Sequence, residues 1–331
     1  MAADTASSLG IVVIGRNEGE RLVRCLESVL GGAAPVVYVD SGSTDGSVAG
    51  AKSAGCDVVE LDPIKPFSAA RARNEGLAWL LRRAPGLEFV QFVDGDCEVA
   101  DGWLPCAAAE LKKRPDAAAV CGRLRERHPD VSVYNRLCEL EWQGSPGEVT
   151  ACGGNAMMRV AAFRAAGGFV ANLVAGEEPE LCLRLRRAGW RILRIDSEMA
   201  THDAAMTRFS EWRQRMTRSG VAYAQATAMH GSSPERFCLR DNVSIVVWSL
   251  LVPAVSLAAL LPTRGWSLAL LALYPLLVVR IAVGRWRTGN RLRHACLYAV
   301  FCVLGKWPQL GGQLRYLASR TLRRADTAGN P

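Results

Sequence analysis

The sequence predicts an open α/β sheet flanked by helices, followed by a C-terminal helical region suited to a membrane. Three observations lead there. Short β-branched runs alternate with amphipathic stretches from residue 10 to about residue 122. Two of these runs end in an aspartate, at the end of a parallel strand where open α/β sheets hold ligands. The long uncharged stretches and the net positive charge both fall in residues 241–331.

The elements follow in order. GIVVIG (10–15) is a β-branched strand, and GERLVRCLESVL (19–30) sets Leu22, Cys25, Leu26 and Val29 on one helical face. PVVYVD (35–40) is a second strand ending at Asp40, and SGSTDGS after it is rich in turn chemistry and leads into a helix. DVVEL (57–61), EFVQFVD (88–94) and AAVCG (118–122) continue the strand series. In EFVQFVDGDCEV (88–99) an apolar strand ends by presenting Asp94 and Asp96 across Gly95. Two readings of that pair stay open on the residues alone: a turn with capping aspartates, or a site for a divalent cation and a diphosphate. Glycine between the acids lets backbone approach a ligand closely. Further on, Gly176-Glu177-Glu178-Pro179 opens a helix that Gly189 stops, and acids there are favoured by the helix dipole whatever else they do. FSEWRQRMTRSG (209–220) interleaves aromatic and cationic groups on another helix.

Composition and missing motifs narrow the function. No GxGxxG follows the first strand and no GxxxxGK[ST] occurs, which argues against dinucleotide-binding and P-loop folds. Of the net charge of +8, residues 241–331 hold eleven Lys/Arg against Asp241 and Asp326, so the first 240 residues are close to neutral. A nucleic-acid partner is not expected. Eleven cysteines form no CxxC pair, which reads as small core residues of a reducing compartment, with Cys97 a minor candidate as a metal ligand.

Residues 243–263 carry no charge and 265–284 only Arg280, each long enough to span a bilayer. The apolar part of 294–324 is short, which fits an interfacial or re-entrant element. RWRTGNRLR (285–293) is basic and expected on the cytoplasmic side, and MAADTASSLG lacks the features of an export signal, so the N-terminal part is expected in the cytoplasm. The alternative is a buried helical subdomain. The expected division is 1–232 for a catalytic domain and 233–331 for a membrane-associated region.

The pieces VVIGRNEGERL (12–22), VVYVDSGSTDGS (36–47), ARARNEGL (70–77), FVDGDCEV (92–99), CGGNAMMR (152–159), AAGGF (165–169) and AGEEPELCLRLRRAGWRI (175–192) occur together and in order. In that combination, over residues 10 to about 215, the chain resembles family-2 glycosyltransferases of the GT-A fold, a Rossmann-like open mixed sheet. The resemblance implies an inverting transferase that moves a sugar from a nucleotide-diphosphate donor to a lipid-linked or glycan acceptor at the cytoplasmic membrane face, with Mn²⁺ or Mg²⁺. It implies Asp94-Gly95-Asp96 as the DxD motif, Asp96 on the metal and Asp94 on ribose or metal, with His202 completing the metal site. It implies Asp40 reading the base edge, Arg16, Asn17, Glu18 and Arg73 near the nucleotide, and Gly153, Gly154 and Asn155 bordering donor sugar and acceptor. Glu178 matches the catalytic base, although Glu stands where the family has Asp, which keeps Glu177 as the alternative. The 209–220 helix matches only in part the QxxRW signature of processive synthases, so one sugar per transfer is expected. Two rivals stay open: a membrane-tethered sugar-nucleotide binding protein, and a sugar-phosphate nucleotidylyltransferase, whose glycine-rich opening this chain lacks.

Overall fold

The computed structural model describes residues 8–328, with side chains described up to residue 321. Residues 1–7, part of the stretch in which no export signal was read, and the side chains of Arg323 and Arg324 in the expected interfacial element lie outside the described residues. Two compact units divide the chain: 1–129 with 141–205, and 130–140 with 206–331. The expected boundary at 232 falls at the end of the helix Phe209–His230, and the compact division falls just before its start.

The first unit is a mixed sheet with helices on it. β1 (Leu9–Gly15) lies between β2 (Val36–Asp40) and β4 (Phe89–Asp94), with β3 (Asp57–Glu60) beyond β2, and these four run parallel. Residues of β1, β2 and β4 are buried almost without interruption, as expected of strands covered on both faces. β8 (Ala156–Arg159) is antiparallel to both β4 and β6 (Ala117–Glu126), and β9 (Arg191–His202) then runs parallel to β6. The short β5 (Cys97–Val99) and β7 (Gly147–Glu148) pair antiparallel with β9. Four helices of this unit matter below: α1 (Glu20–Leu30), α2 (Ser47–Ser53), α3 (Ala69–Arg83) and α4 (Trp103–Lys113). α3 sits directly on the sheet, since a Cβ on its Gly76 would come within 2.4 Å of Val12.

β6 outruns the expected 118–122 by four residues at its carboxyl end. Residues Arg123-Leu124-Arg125-Glu126 alternate charge with one leucine, so hydrophobicity stops announcing a strand while the backbone goes on pairing. Arg123 and Arg125 turn outward to Glu198 of β9, while Glu126 turns inward opposite His202.

In the second unit, α5 (Val133–Trp142) contributes residues 133–140, and α8 (Phe209–His230) packs with the C-terminal helix α12 (Lys306–Ala328). The two approach so closely that a Cβ on Gly220 would lie 2.0 Å from the Gln309 carbonyl oxygen, and one on Gly312 would lie 2.1 Å from that of Thr217. Asn242 and Gln313 form a polar link inside this unit, with Gln313 Nε2 donating to Asn242 Oδ1 at 2.6 Å. α11 (Leu292–Leu304) also belongs to this unit, whereas α6 (Val160–Ala165) and α7 (Glu177–Arg187) belong to the first; α9 and α10 follow next.

Those two, α9 (Leu239–Ala258) and α10 (Trp266–Arg287), are long and apolar enough to cross a membrane, with mean hydropathies of 1.6 and 2.0. Each shifts by a few residues from the expected 243–263 and 265–284, because Thr263-Arg264-Gly265 is a turn with two positive φ angles. Prolines shape both: Pro253 removes the N–H that the Ser249 carbonyl would accept, next to a π turn at Val247–Leu251, and Pro275 follows a 3₁₀ stretch at Trp266–Ala272. Only 17% and 11% of their apolar windows are buried, and Leu251, Val255, Leu257, Leu276 and Val279 face outward.

Candidate active site

The site forms at the carboxyl ends of β1, β2 and β4. Gly95 N donates to the Ile14 carbonyl at 2.7 Å, and a Cβ there would crowd that oxygen at 3.0 Å, so the glycine draws the two aspartates against the end of β1.

Asp94 is tied to a buried guanidinium. Arg73 of α3 donates from Nη2 to Asp94 Oδ1 at 2.6 Å and from Nη1 to Glu177 Oε1 at 2.5 Å, joining the DGD turn to the start of α7. Its side chain is 3% exposed, so the two carboxylates compensate a charge that would otherwise be very costly there. Asn155 locks the same turn by accepting from Asp94 N at 2.9 Å. Burial raises the Asp94 carboxyl, Arg73 offsets this in part, and the neighbouring Asp96 adds to the rise.

Asp96 faces His202. Its Oδ2 lies 3.3 Å from His202 Nε2, and on the other side of the ring Nδ1 lies 3.2 Å from Glu126 Oε2. Burial works to raise the Asp96 carboxyl, but the imidazole's hydrogen bond and charge outweigh it and hold the group below the usual carboxylate range. Burial likewise opposes charge on His202, yet Asp96 and Glu126 together push it up to about 10. Trp142 closes the ring off edge-on, 4.6 Å between centroids. Glu18 stands beside the pair, bound to Arg21 at 2.6 Å, its carboxyl raised by burial and by Asp96.

The donor atoms of Asp96, Cys97 and His202 lie within 4.8 Å of one another, so this corner can take a cation. The carboxylate oxygen suits Mn²⁺ or Mg²⁺, and the imidazole nitrogen favours the transition metal of the two, Mn²⁺. Cys97 is the misfit: burial and the charges of Asp96 and Asp94 push its thiol well up, so it stays a protonated core residue.

The β1 and β2 loops are stitched together. Asn17, at φ 58°, donates its backbone N–H to Ser43 Oγ and accepts from Thr44 N through Oδ1 at 2.7 Å. Asp40 is buried, and its carboxylate accepts from Tyr38 Oη, the Ser43 hydroxyl, Gly42 N and Ser43 N. All four acceptor positions of the expected base-edge reader therefore organise its own loop. Arg16 is exposed and lies over the Phe67 ring at 5.6 Å.

Gly153 has φ 82°, and a Cβ on Gly154 would lie 2.5 Å from Arg73 Nη2 and 2.8 Å from Asp94 Oδ2. The loop thus brings bare backbone onto the Arg73–Asp94 pair. Glu178 reaches under the same loop, its Oε1 accepting from Cys152 N at 2.5 Å and from the Cys182 thiol at 3.0 Å. Sequence reading missed Glu126, Phe67 and Cys152, whose partners lie far along the chain, and Cys182, one turn from Glu178 on α7. The strand alternation that buries Glu126 among outward arginines was the one signal available for it.

Residues 10–167 match the family described as Glycosyl transferase family 2. The chain is 28% identical over 257 residues to the pre-mycofactocin glycosyltransferase of Mycobacterium tuberculosis, covering 73% of this chain and about half the length of that relative, 52%. Its fold is similar to that of a mannosyltransferase from Pyrobaculum calidifontis solved with GDP-Man and Mn²⁺, at TM-score 0.56 and 20% identity over 89% of this chain and 86% of that one. Over residues 10–167 the chain is thus similar to family 2 glycosyltransferases, and its fold is similar to that of a solved glycosyltransferase.

Proposed function

We propose that the chain transfers a single sugar, with inversion, from a nucleotide-diphosphate sugar to a lipid-linked or glycan acceptor at the cytoplasmic face of a membrane. The observation that carries this is the Arg73-braced Asp94 beside the His202-paired Asp96, bordered by Gly154. The likeness to a mannosyltransferase solved with GDP-Man and Mn²⁺ supports the donor class and the cation.

In this reading Asp96 and His202 hold Mn²⁺ or Mg²⁺, which when bound offsets the charge growing on the leaving nucleoside diphosphate. Asn17 and Asp40 keep the loops beside the nucleotide in shape, and Asp40 meets the base only by exchanging one of its loop bonds. Glu18 adds a carboxylate at the mouth of the site, and Arg16 offers its charge to the donor. Arg73 holds Asp94 and Glu177 fixed, so little has to reorganise when the donor arrives. The Gly153-Gly154-Asn155 backbone borders donor sugar and acceptor.

Glu178 is the proton acceptor for a hydroxyl acceptor. Its partners are the neutral Cys152 N–H and Cys182 thiol, whereas Glu177 is committed to Arg73. With an acceptor that is already anionic, Glu178 positions rather than deprotonates. Residues 1–232 form the catalytic domain, and the outward apolar faces of α9 and α10 support membrane insertion of 233–331 over a buried subdomain.

A thermal-shift panel of UDP-, GDP- and dTDP-sugars with and without Mn²⁺ tests the donor class. One nucleotide series should raise the melting temperature only with the cation. No shift with any of them would count against the proposal.

A further inference from the structure

Glu126 lies outside every motif that carries the family likeness, yet it is the group that fixes His202. It ends β6 directly opposite His202 of β9 in the parallel register, with its side chain fully buried. Its position is itself determined: Ala204 N donates to Oε1 and Oε2 at 3.3 and 3.2 Å, and His128 N to Oε1 at 3.3 Å. The backbone around the ring is pinned as well, since Arg127 N donates to the His202 carbonyl at 2.7 Å and Asp203 N to that of Asp96 at 2.9 Å. Trp142 closes the remaining side. The imidazole therefore has one orientation, Nδ1 to Glu126 and Nε2 toward Asp96.

We propose that Glu126 is a positioning residue for the cation site, accepting the Nδ1 proton of His202 so that the Nε2 lone pair points at the position shared with Asp96. This rests on the metal-site reading above and assigns within it a residue on which divalent-ion affinity depends. A carboxylate behind a ligating histidine fixes its tautomer and makes it a better ligand, and loss of such a partner typically costs about 10–100-fold in metal affinity. The carboxylate is oriented by the backbone N–H groups of Ala204 and His128, with Oε2 facing the ring.

The experiment is Mn²⁺ binding to the full-length protein in the presence of UDP or GDP, followed by loss of the free Mn²⁺ signal in electron paramagnetic resonance. The melting temperature of each protein is measured alongside. Glu126→Gln should weaken Mn²⁺ uptake by about tenfold or more while still melting as a folded protein. Glu126→Asp, which keeps the charge and gives a second route should the amide variant fold poorly, should recover most of the lost affinity. Equal Mn²⁺ affinity in the parent and folded Glu126→Gln would overturn the role of Glu126. Absence of Mn²⁺ uptake by the parent would instead overturn the metal-site reading beneath it.

Discussion

At the scale of single residues the site is a set of charges that hold one another. Arg73 is the centre of it, because removing its guanidinium leaves Asp94 and Glu177 facing each other without a cation. Arg73→Met should destabilise the protein by about 3–5 kcal/mol, the usual result of breaking a buried pair from one side, and denaturant melts of parent and variant would measure it. A loss below about 1 kcal/mol, the value of an exposed pair, would mean that water reaches the pair freely. For the acids on α7, Glu178→Gln should keep donor affinity and lose transfer to a hydroxyl acceptor, because the amide preserves shape but cannot take the proton. Near-parental turnover in that variant would move the base to Glu177 or point to an anionic acceptor. Much of this scale was legible beforehand. Asp94 and Asp96 were visible because an apolar strand runs straight into them. The meeting of Asp96 with His202 came only through the family resemblance, and the bonds from Arg73 and Asn155 were not legible, since those side chains reach the turn from remote parts of the chain.

At the scale of elements, two close approaches decide the packing. Where α8 crosses α12, backbone meets backbone at Gly220 and Gly312. Gly312→Ala should therefore separate the helices and lower the melting temperature, whereas Gly311→Ala, with nothing within 4 Å of its Cβ position, should not. Equal melting of the two variants would contradict the crossing. The second approach is the 152–155 loop. Gly154→Ala should weaken donor binding, because its methyl would displace Arg73 from Asp94, and calorimetry with the donor nucleotide reads this directly. Strands and helices of the first unit were legible through β-branched runs and apolar faces. The extra length of β6 was not, because its last residues are charged and pair with β9. The partner of α8 was not legible either, as it lies beyond two long apolar helices in the chain.

At the scale of the whole molecule, charge and hydropathy separate. The first 240 residues are nearly neutral and the rest are basic and apolar, a division readable from composition alone. Because α8 packs with α12, cutting the chain at residue 240 would strip α8 of its partner, so membrane attachment is better tested on the intact protein. Full-length chain should stay with membranes through a carbonate wash. In Arg264→Cys, a membrane-impermeant maleimide applied outside cells should label the introduced thiol, while native Cys106, exposed in the first unit, stays unlabelled. Labelling of both, or of Cys106 alone, would contradict a chain that crosses outward with α9 and returns with α10. The central claim is that Asp96 and His202 bind a nucleotide-sugar diphosphate through a divalent cation. Its most direct test is calorimetric titration with the nucleoside diphosphate selected by thermal shift, with Mn²⁺ and again after chelation, on the parent and on Asp96→Ala. Binding to the parent that is lost on chelation and absent in the variant is the result expected. Binding of equal affinity in all conditions would contradict it.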